Sequence, residues 1–273
     1  MPGGCVSGTV CRVPHADLHD LFARADEVPE LPKLGGMARP NGVVIVSERF
    51  WAFATLDGGL YEGAMPARSS RVGRIPLLRG LLQLASSMAP LARGRGVARG
   101  RERFLLLGAF VASFALIALP ARLELPVGLL LSVLLLGWLF RGRTLRLHGA
   151  EHRAIAAAEQ GRLQACWSGA SRPTRFSPRC GTNFAALALP VTVLAERLLP
   201  VAGASLAASI LVAMLGLGLT MELWKAVQHP SGVLRGLLLP GLALQRLTTR
   251  EPGLDDTRVA LGAVASVLRR ELG

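Results

Sequence analysis

The stretch "FLLLGAFVASFALIALP", residues 104–120, carries no charged side chain and approaches the ~20 residues that a bilayer-crossing helix needs. Its reading decides the fold class. "PVGLLLSVLLLGWLF" (126–140) alone suits a membrane span or a buried helix, but it follows the first block after only "ARLEL", which fits a hairpin of two spans. After a polar interval, "FAALALPVTVLAERLLP" (184–200) and "VAGASLAASILVAMLGLGLTMELWKA" (201–226) repeat the arrangement. The expectation is a mainly α, polytopic membrane protein with about four transmembrane helices in two hairpins.

Composition agrees with that expectation. Of 273 residues, 51% are hydrophobic and only 18% charged. Arginines set the expected orientation: Arg93, Arg95, Arg99, Arg101 and Arg103 precede the first block, Arg141, Arg143, Arg146 and Arg153 follow the second, and Arg172, Arg175 and Arg179 precede the third. By the positive-inside rule these segments and both termini face the cytoplasm, and the chain belongs in the plasma (inner) membrane. The net charge of +13 then reads as topology signals and contacts to the anionic headgroups of a lipid bilayer. Nucleic acid is not an expected partner, because no aromatic stacking platform accompanies the arginines. No signal peptide is visible at the start.

The rest of the chain divides around the spans. Residues 1–34 read as an N-terminal tail with a short amphipathic helix around "HADLHDLFARA", and residues 35–74 as a small β-containing cytoplasmic region. Within it, "GVVIVSERFWAFATLDGGLYEGAM" (42–65) is rich in β-branched and aromatic residues around an Asp57-Gly58-Gly59 turn. Residues 75–102 suit a membrane-surface helix and a basic linker, followed by the first hairpin at 103–141. Residues 142–183 form a cytoplasmic helix and Pro/Cys loop, 184–226 the second hairpin, and 227–273 a C-terminal amphipathic cytoplasmic region. There Pro240 and Gly241 break the first helix, and Asp255 or Asp256 opens the last.

Chemistry concentrates in "LHGAEHRAIAAAEQG" (147–161). His148 and His152 are four apart and share one helix face, with Glu151 beside them. The pattern H-x-x-E-H is that of zinc hydrolases in which two imidazoles hold the metal and the carboxylate takes a proton from bound water. Imidazole donors suit a borderline-soft divalent ion such as zinc. Glu159 cannot complete the shell, since seven residues span about 10 Å of helix against a ~2 Å metal bond. The remaining candidates are Cys180, as a thiolate ligand, Glu222, an acid in an apolar stretch, and His229. Each has a plainer reading: Cys180 as a small buried residue, Glu222 paired with Lys225, His229 in an exposed turn. Cys5, Cys11, His15 and His19 are too closely spaced for a zinc finger. On this topology all four cysteines, Cys5, Cys11, Cys166 and Cys180, are cytoplasmic, where disulfides are uncommon.

The motifs "LGGMARPNG", "RIPLLRGLLQL", "HGAEHRAIAAAEQG", "PRCGTNF" and "PGLALQRLTTREP", in this order, resemble the YqhQ-like bacterial membrane family. This is a domain of unknown function (1385) whose members are described as predicted metal-dependent enzymes. The resemblance runs from about Leu34 to the C-terminus. Matched positions include His148, Glu151, His152, Glu159, Cys180, Gly181, Thr182, Glu222 and the run Gln245–Pro252. The chain departs where many relatives read GGQAVIEGVMMR, placing a family acid near Asn41, and where "EVA" becomes "RVA" at Arg258.

Two function classes follow. The first is a metal-binding membrane protein, extending to a metal-dependent hydrolase, with His148 and His152 as ligands, Cys180 or Glu222 completing the shell, and Glu151 as ligand or catalytic base. The second is a non-enzymatic membrane scaffold or assembly factor whose "HGAEH" helix docks a partner. A transporter fits less well, since Glu222 is the one clear acid deep in an apolar block.

Overall fold

The chain from Gly35 to Ala64 folds as a four-stranded antiparallel meander in the computed structural model, which describes residues 15–66, 75–94, 96–98, 100–116, 119–139, 141–199, 205–228 and 233–273. The strands are β1 (Gly35–Arg39), β2 (Gly42–Val46), β3 (Phe50–Thr55) and β4 (Leu60–Ala64), in spatial order β1-β2-β3-β4. In β2, Val43 pairs with Ala54 and Ile45 with Ala52, and these residues face the main core. Val44 pairs with Phe53 and Val46 with Trp51, and these face the opposite side with Val97 and Tyr61. Side chains alternate across a strand, so "GVVIV" reads as an unbroken apolar run because both faces of the sheet are covered. The expected β-hairpin is therefore half of a larger sheet. Its Asp57 turn closes β3 onto β4, with the Thr55 N–H donating to the Gly59 carbonyl at 2.8 Å.

Helices α1 (His15–Asp26), α2 (Leu78–Ser87), α3 (Ala89–Arg93), α4 (Gly100–Leu116), α5 (Ala121–Leu139), α6 (Thr144–Glu159), α7 (Leu163–Ser168), α8 (Gly181–Leu198), α9 (Leu206–Ala226), α10 (Leu239–Thr248) and α11 (Leu254–Leu272) complete the described elements, with a 3-10 turn at Val233–Leu238. The main core is the sheet face under α6 and α11, sealed at one end by α1. Alanines make this close packing possible: Ala150, Ala154, Ala157 and Ala158 of α6 and Ala260, Ala263 and Ala265 of α11 are all buried. Asp256 fixes the start of α11, accepting from the Gly253 N–H at 3.3 Å and from the Arg143 guanidinium at 2.7 Å.

Two expectations change. The first is the four-span, multi-pass architecture: among the described residues one helical stretch, Ala207–Ala226, is long and apolar enough to cross a membrane. Helix ends explain the shortfall elsewhere. Helix α4 opens on Arg101, Glu102 and Arg103, and α5 on Arg122 and Glu124 before Pro126. The apolar parts that remain, Pro126–Trp138 in α5 and Gly181–Ala195 in α8, reach only about 20–22 Å against a ~30 Å hydrocarbon layer. Second, the helix expected within the tail at 1–34 forms as α1 but is packed into the core, burying Leu18, Leu21, Phe22 and Ala25. The last helix forms as expected with Asp255 and Asp256 in its first turn, and its Leu261, Val264, Val267 and Leu268 are fully enclosed. Cys5, Cys11 and His229 lie outside the described residues, as does the side chain of His15.

Candidate metal centre

Helix α6 runs beneath the sheet and carries His148, Glu151 and His152 on buried positions. Two glycines let it sit there. A Cβ on Gly36 of β1 would stand 2.9 Å from Cγ of Glu151 and 2.7 Å from the Val44 carbonyl, so only glycine admits the glutamate beneath the strand. A Cβ on Gly149 would stand 2.2 Å from the Arg250 carbonyl, so glycine lets the 248–252 segment lie directly on α6.

The chain then returns along residues 169–179 and delivers Cys180 as the N-cap of α8. Its Sγ lies 3.3 Å from Nε2 of His148. It also accepts from the Thr182 N–H at 3.4 Å and from the Thr182 hydroxyl at 3.1 Å. Among the described residues, the ligand atoms of His148, His152 and Cys180 lie within 4.8 Å of one another, and all three side chains are buried. Donors of a tetrahedral zinc ion stand about 3.5 Å apart. With its widest gap closed from at most 4.8 Å to that spacing, the group could hold a metal ion.

Both imidazoles are oriented for that task. Nδ1 of His148 donates to the Thr248 carbonyl at 2.8 Å, and Nδ1 of His152 to the Arg175 carbonyl at 2.6 Å. A proton held at Nδ1 leaves the Nε2 lone pair for a metal. Nε2 of His152 is buried with no hydrogen-bond partner, an orphaned acceptor of the kind a cation would satisfy. Burial keeps His148 below its ordinary pKa, and burial together with the neighbouring His148 pushes His152 down to about 3, so the rings are neutral at physiological pH. Burial raises Glu151 to about 8 against the opposing Ala38 N–H. Burial and the Glu151 carboxylate raise the Cys180 thiol to about 11, against the two Thr182 donors.

Glu222 stands elsewhere. Its carboxylate takes both arms of the Arg79 guanidinium, at 2.8 and 2.5 Å, and meets Lys225 at 3.6 Å. It is therefore tied to α2 and to its own helix, and is not part of the His148–His152–Cys180 group. Glu159 pairs with Arg179 at the surface.

Sequence reading missed the residues that hold the donors in place. Gln245 is fully enclosed, accepting from the Ser177 N–H at 2.9 Å and donating to the Ser177 carbonyl at 2.7 Å, which anchors the loop leading to Cys180. Arg153, Arg175, Thr248 and Thr249 likewise work through backbone carbonyls. A carbonyl leaves no mark in residue identity, and the one available signal was the run Gln245–Pro252 in the family resemblance.

The model of a protein family of unknown function, DUF1385, matches residues 113–270, more than half of the chain. A relative from Bacillus subtilis (strain 168), "Uncharacterized protein YqhQ", is 30% identical over 150 residues, covering 51% of this chain and 47% of that protein. The chain thus spans about half the length of this relative. No solved structure matches. The matched segment contains His148, Glu151, His152 and Cys180, and the chain belongs to the DUF1385 family.

Proposed function

We propose that this is a metal-binding protein in which His148, His152 and Cys180 hold one divalent ion, with Glu151 beside it in the role of a hydrolase base. One observation carries the reading: three buried donor atoms within 4.8 Å of one another. Two imidazoles and a thiolate form a borderline-soft set, which zinc suits best. Three protein ligands leave a fourth position, as in catalytic rather than closed structural zinc sites. A zinc ion there would supply Lewis acidity and lower the pKa of a bound water. The protein's part is to keep both imidazoles neutral and aimed, to give up the Cys180 proton on binding, and to offer Glu151 as proton acceptor. A pKa near 8 in the metal-free protein supports that last role, since a carboxyl group poised near neutrality exchanges protons readily.

The same burial supports a second reading, a structural ion that staples α6 to the start of α8. The work is done, on either reading, beside a lipid bilayer. Exposed leucines on the hairpin of α8 and α9, including Leu189, Leu194, Leu198, Leu211 and Leu219, form a surface that lipid would cover.

Elemental analysis of the purified full chain tests the metal reading. One equivalent of zinc, lost on joint replacement of His148 and His152 by alanine, is the expected result. A protein that stays free of metal after dialysis against zinc would overturn the reading and favour the scaffold alternative.

A further inference from the structure

Beyond its ligands, the centre has a frame. The acceptors for the two imidazole N–H groups lie on separate loops, Arg175 on the segment before Cys180 and Thr248 at the end of α10. Two arginines join those loops. The Arg153 guanidinium, nearly fully buried, donates to the Pro173 carbonyl at 3.0 Å, to the Pro252 carbonyl at 3.3 Å and to the Glu251 carboxylate at 2.5 Å. Arg175 donates to the Thr249 carbonyl at 2.8 Å, and its Nε lies 3.7 Å from the other Glu251 oxygen. Thus the residue after His152 reaches both loops, the residue whose carbonyl holds His152 reaches the residue after the one whose carbonyl holds His148, and Glu251 joins the two guanidiniums.

We infer that Arg153, with Glu251 and Arg175, is a positioning clamp that fixes His148 and His152 in the Nδ1–H tautomer by holding the Arg175 and Thr248 carbonyls against their rings. The clamp exists for a physical reason. Neutral imidazole protonates either nitrogen at similar cost, and only the hydrogen bond at the far side decides which nitrogen is left for a metal. A loop free to move by an ångström or so would lose the bond and admit the wrong tautomer. Arginine suits the task because its rigid fork presents five N–H groups, enough to serve three acceptors on two loops; lysine has the charge without the fork.

The inference deepens the metal-centre reading, and its test separates the two. Long-range 1H–15N correlation spectra of the full chain with 15N-labelled histidine, freed of metal by chelator, report the tautomer directly. Single-histidine replacements assign the signals. Zinc affinity is then measured by competition with a chromophoric chelator. In the native sequence both rings should show Nδ1–H. Arg153→Lys and Glu251→Gln should each populate Nε2–H and weaken zinc binding on the order of 10–100-fold. Glu251 is mostly exposed, so its variant keeps the test open should Arg153→Lys fail to fold. Folded variants that retain Nδ1–H on both rings and native zinc affinity would overturn the clamp. A native chain with Nδ1–H rings that binds no zinc would sink the metal reading and leave the clamp standing.

Discussion

His148 Nε2 and Cys180 Sγ stand 3.3 Å apart, although 32 positions separate them along the chain. The contact joins the first half of α6 to the N-cap of α8 and brings two candidate ligands together. A buried thiol with its pKa near 11 must lose its proton to bind a metal, so binding should release about one proton and weaken about tenfold for each unit by which the pH is lowered. Replacing Cys180 with serine should weaken zinc affinity by at least the ~10–100-fold typical of lesser site changes. It should also abolish the thiolate-to-metal absorption of the cobalt-substituted protein. A cobalt spectrum unchanged in that variant would remove Cys180 from the site.

Glu151 should make the metal-free protein less stable as pH rises. Its pKa is about 8 in the fold against 4.5 unfolded, so between those values the native state keeps a proton that the unfolded chain has released. The stability it contributes is full below 4.5 and lost as pH climbs through 8. His152 acts oppositely, at about 3 folded against 6.5 unfolded, and its contribution disappears only as pH falls below 6.5. Between pH 6.5 and 8 the Glu151 effect outweighs the fading opposite effects of His148 and His152, at no more than about 1.4 kcal/mol per pH unit or roughly 1 kcal/mol in all. Urea unfolding of chelator-treated protein at both pH values should show this loss in the native sequence and not in Glu151→Gln. Parallel pH profiles for the two proteins would refute it.

Glu222→Gln should leave bound metal unchanged. The carboxylate engages Arg79 and Lys225, and both Arg79 and Glu222 are partly open to solvent, so the change should cost less than about 1 kcal/mol. Metal content measured beside Cys180→Ser gives the comparison. A large metal loss in Glu222→Gln would show that the acid, not the thiol, completes the shell.

Gly36→Ala should harm both the sheet and the site. Its new methyl meets the Val44 carbonyl at 2.7 Å and Cγ of Glu151 at 2.9 Å, and the backbone oxygen cannot swing away. A loss of about 1–3 kcal/mol is expected, read as a lowered unfolding midpoint. Native stability in this variant would mean that the strand and α6 part more easily than their packing implies.

The metal group was legible because histidines four apart dictate a shared helix face, and because a cysteine at a loop-to-helix junction has few other duties. Glu222 was not separable from it, since a carboxylate in an apolar stretch serves equally as ligand or as partner to a cation, and Arg79 lies far away in sequence. The four spans were misread because counting apolar residues ignores where helices begin: charges at the starts of α4 and α5 shorten what a lipid-facing segment could use. Strand β1 escaped notice because "GGMAR" has no β-branched residue; its glycine serves Glu151, not strand propensity.

The core joins α11 to a sheet built from the early part of the chain, and Glu271 near the C-terminus receives the Ser47 hydroxyl at 2.6 Å and the Arg49 guanidinium. During synthesis, then, the sheet leaves the ribosome long before the helix that covers it. Val43, Ile45 and Ala52 must wait uncovered, or under a temporary guest such as a chaperone, through some two hundred further residues. Such a high contact order makes folding slow and its completion dependent on residues translated long after the sheet. Loss of α11 to a premature stop would therefore uncover its share of the sheet's core face and the buried alanines of α6 that pack in the same core.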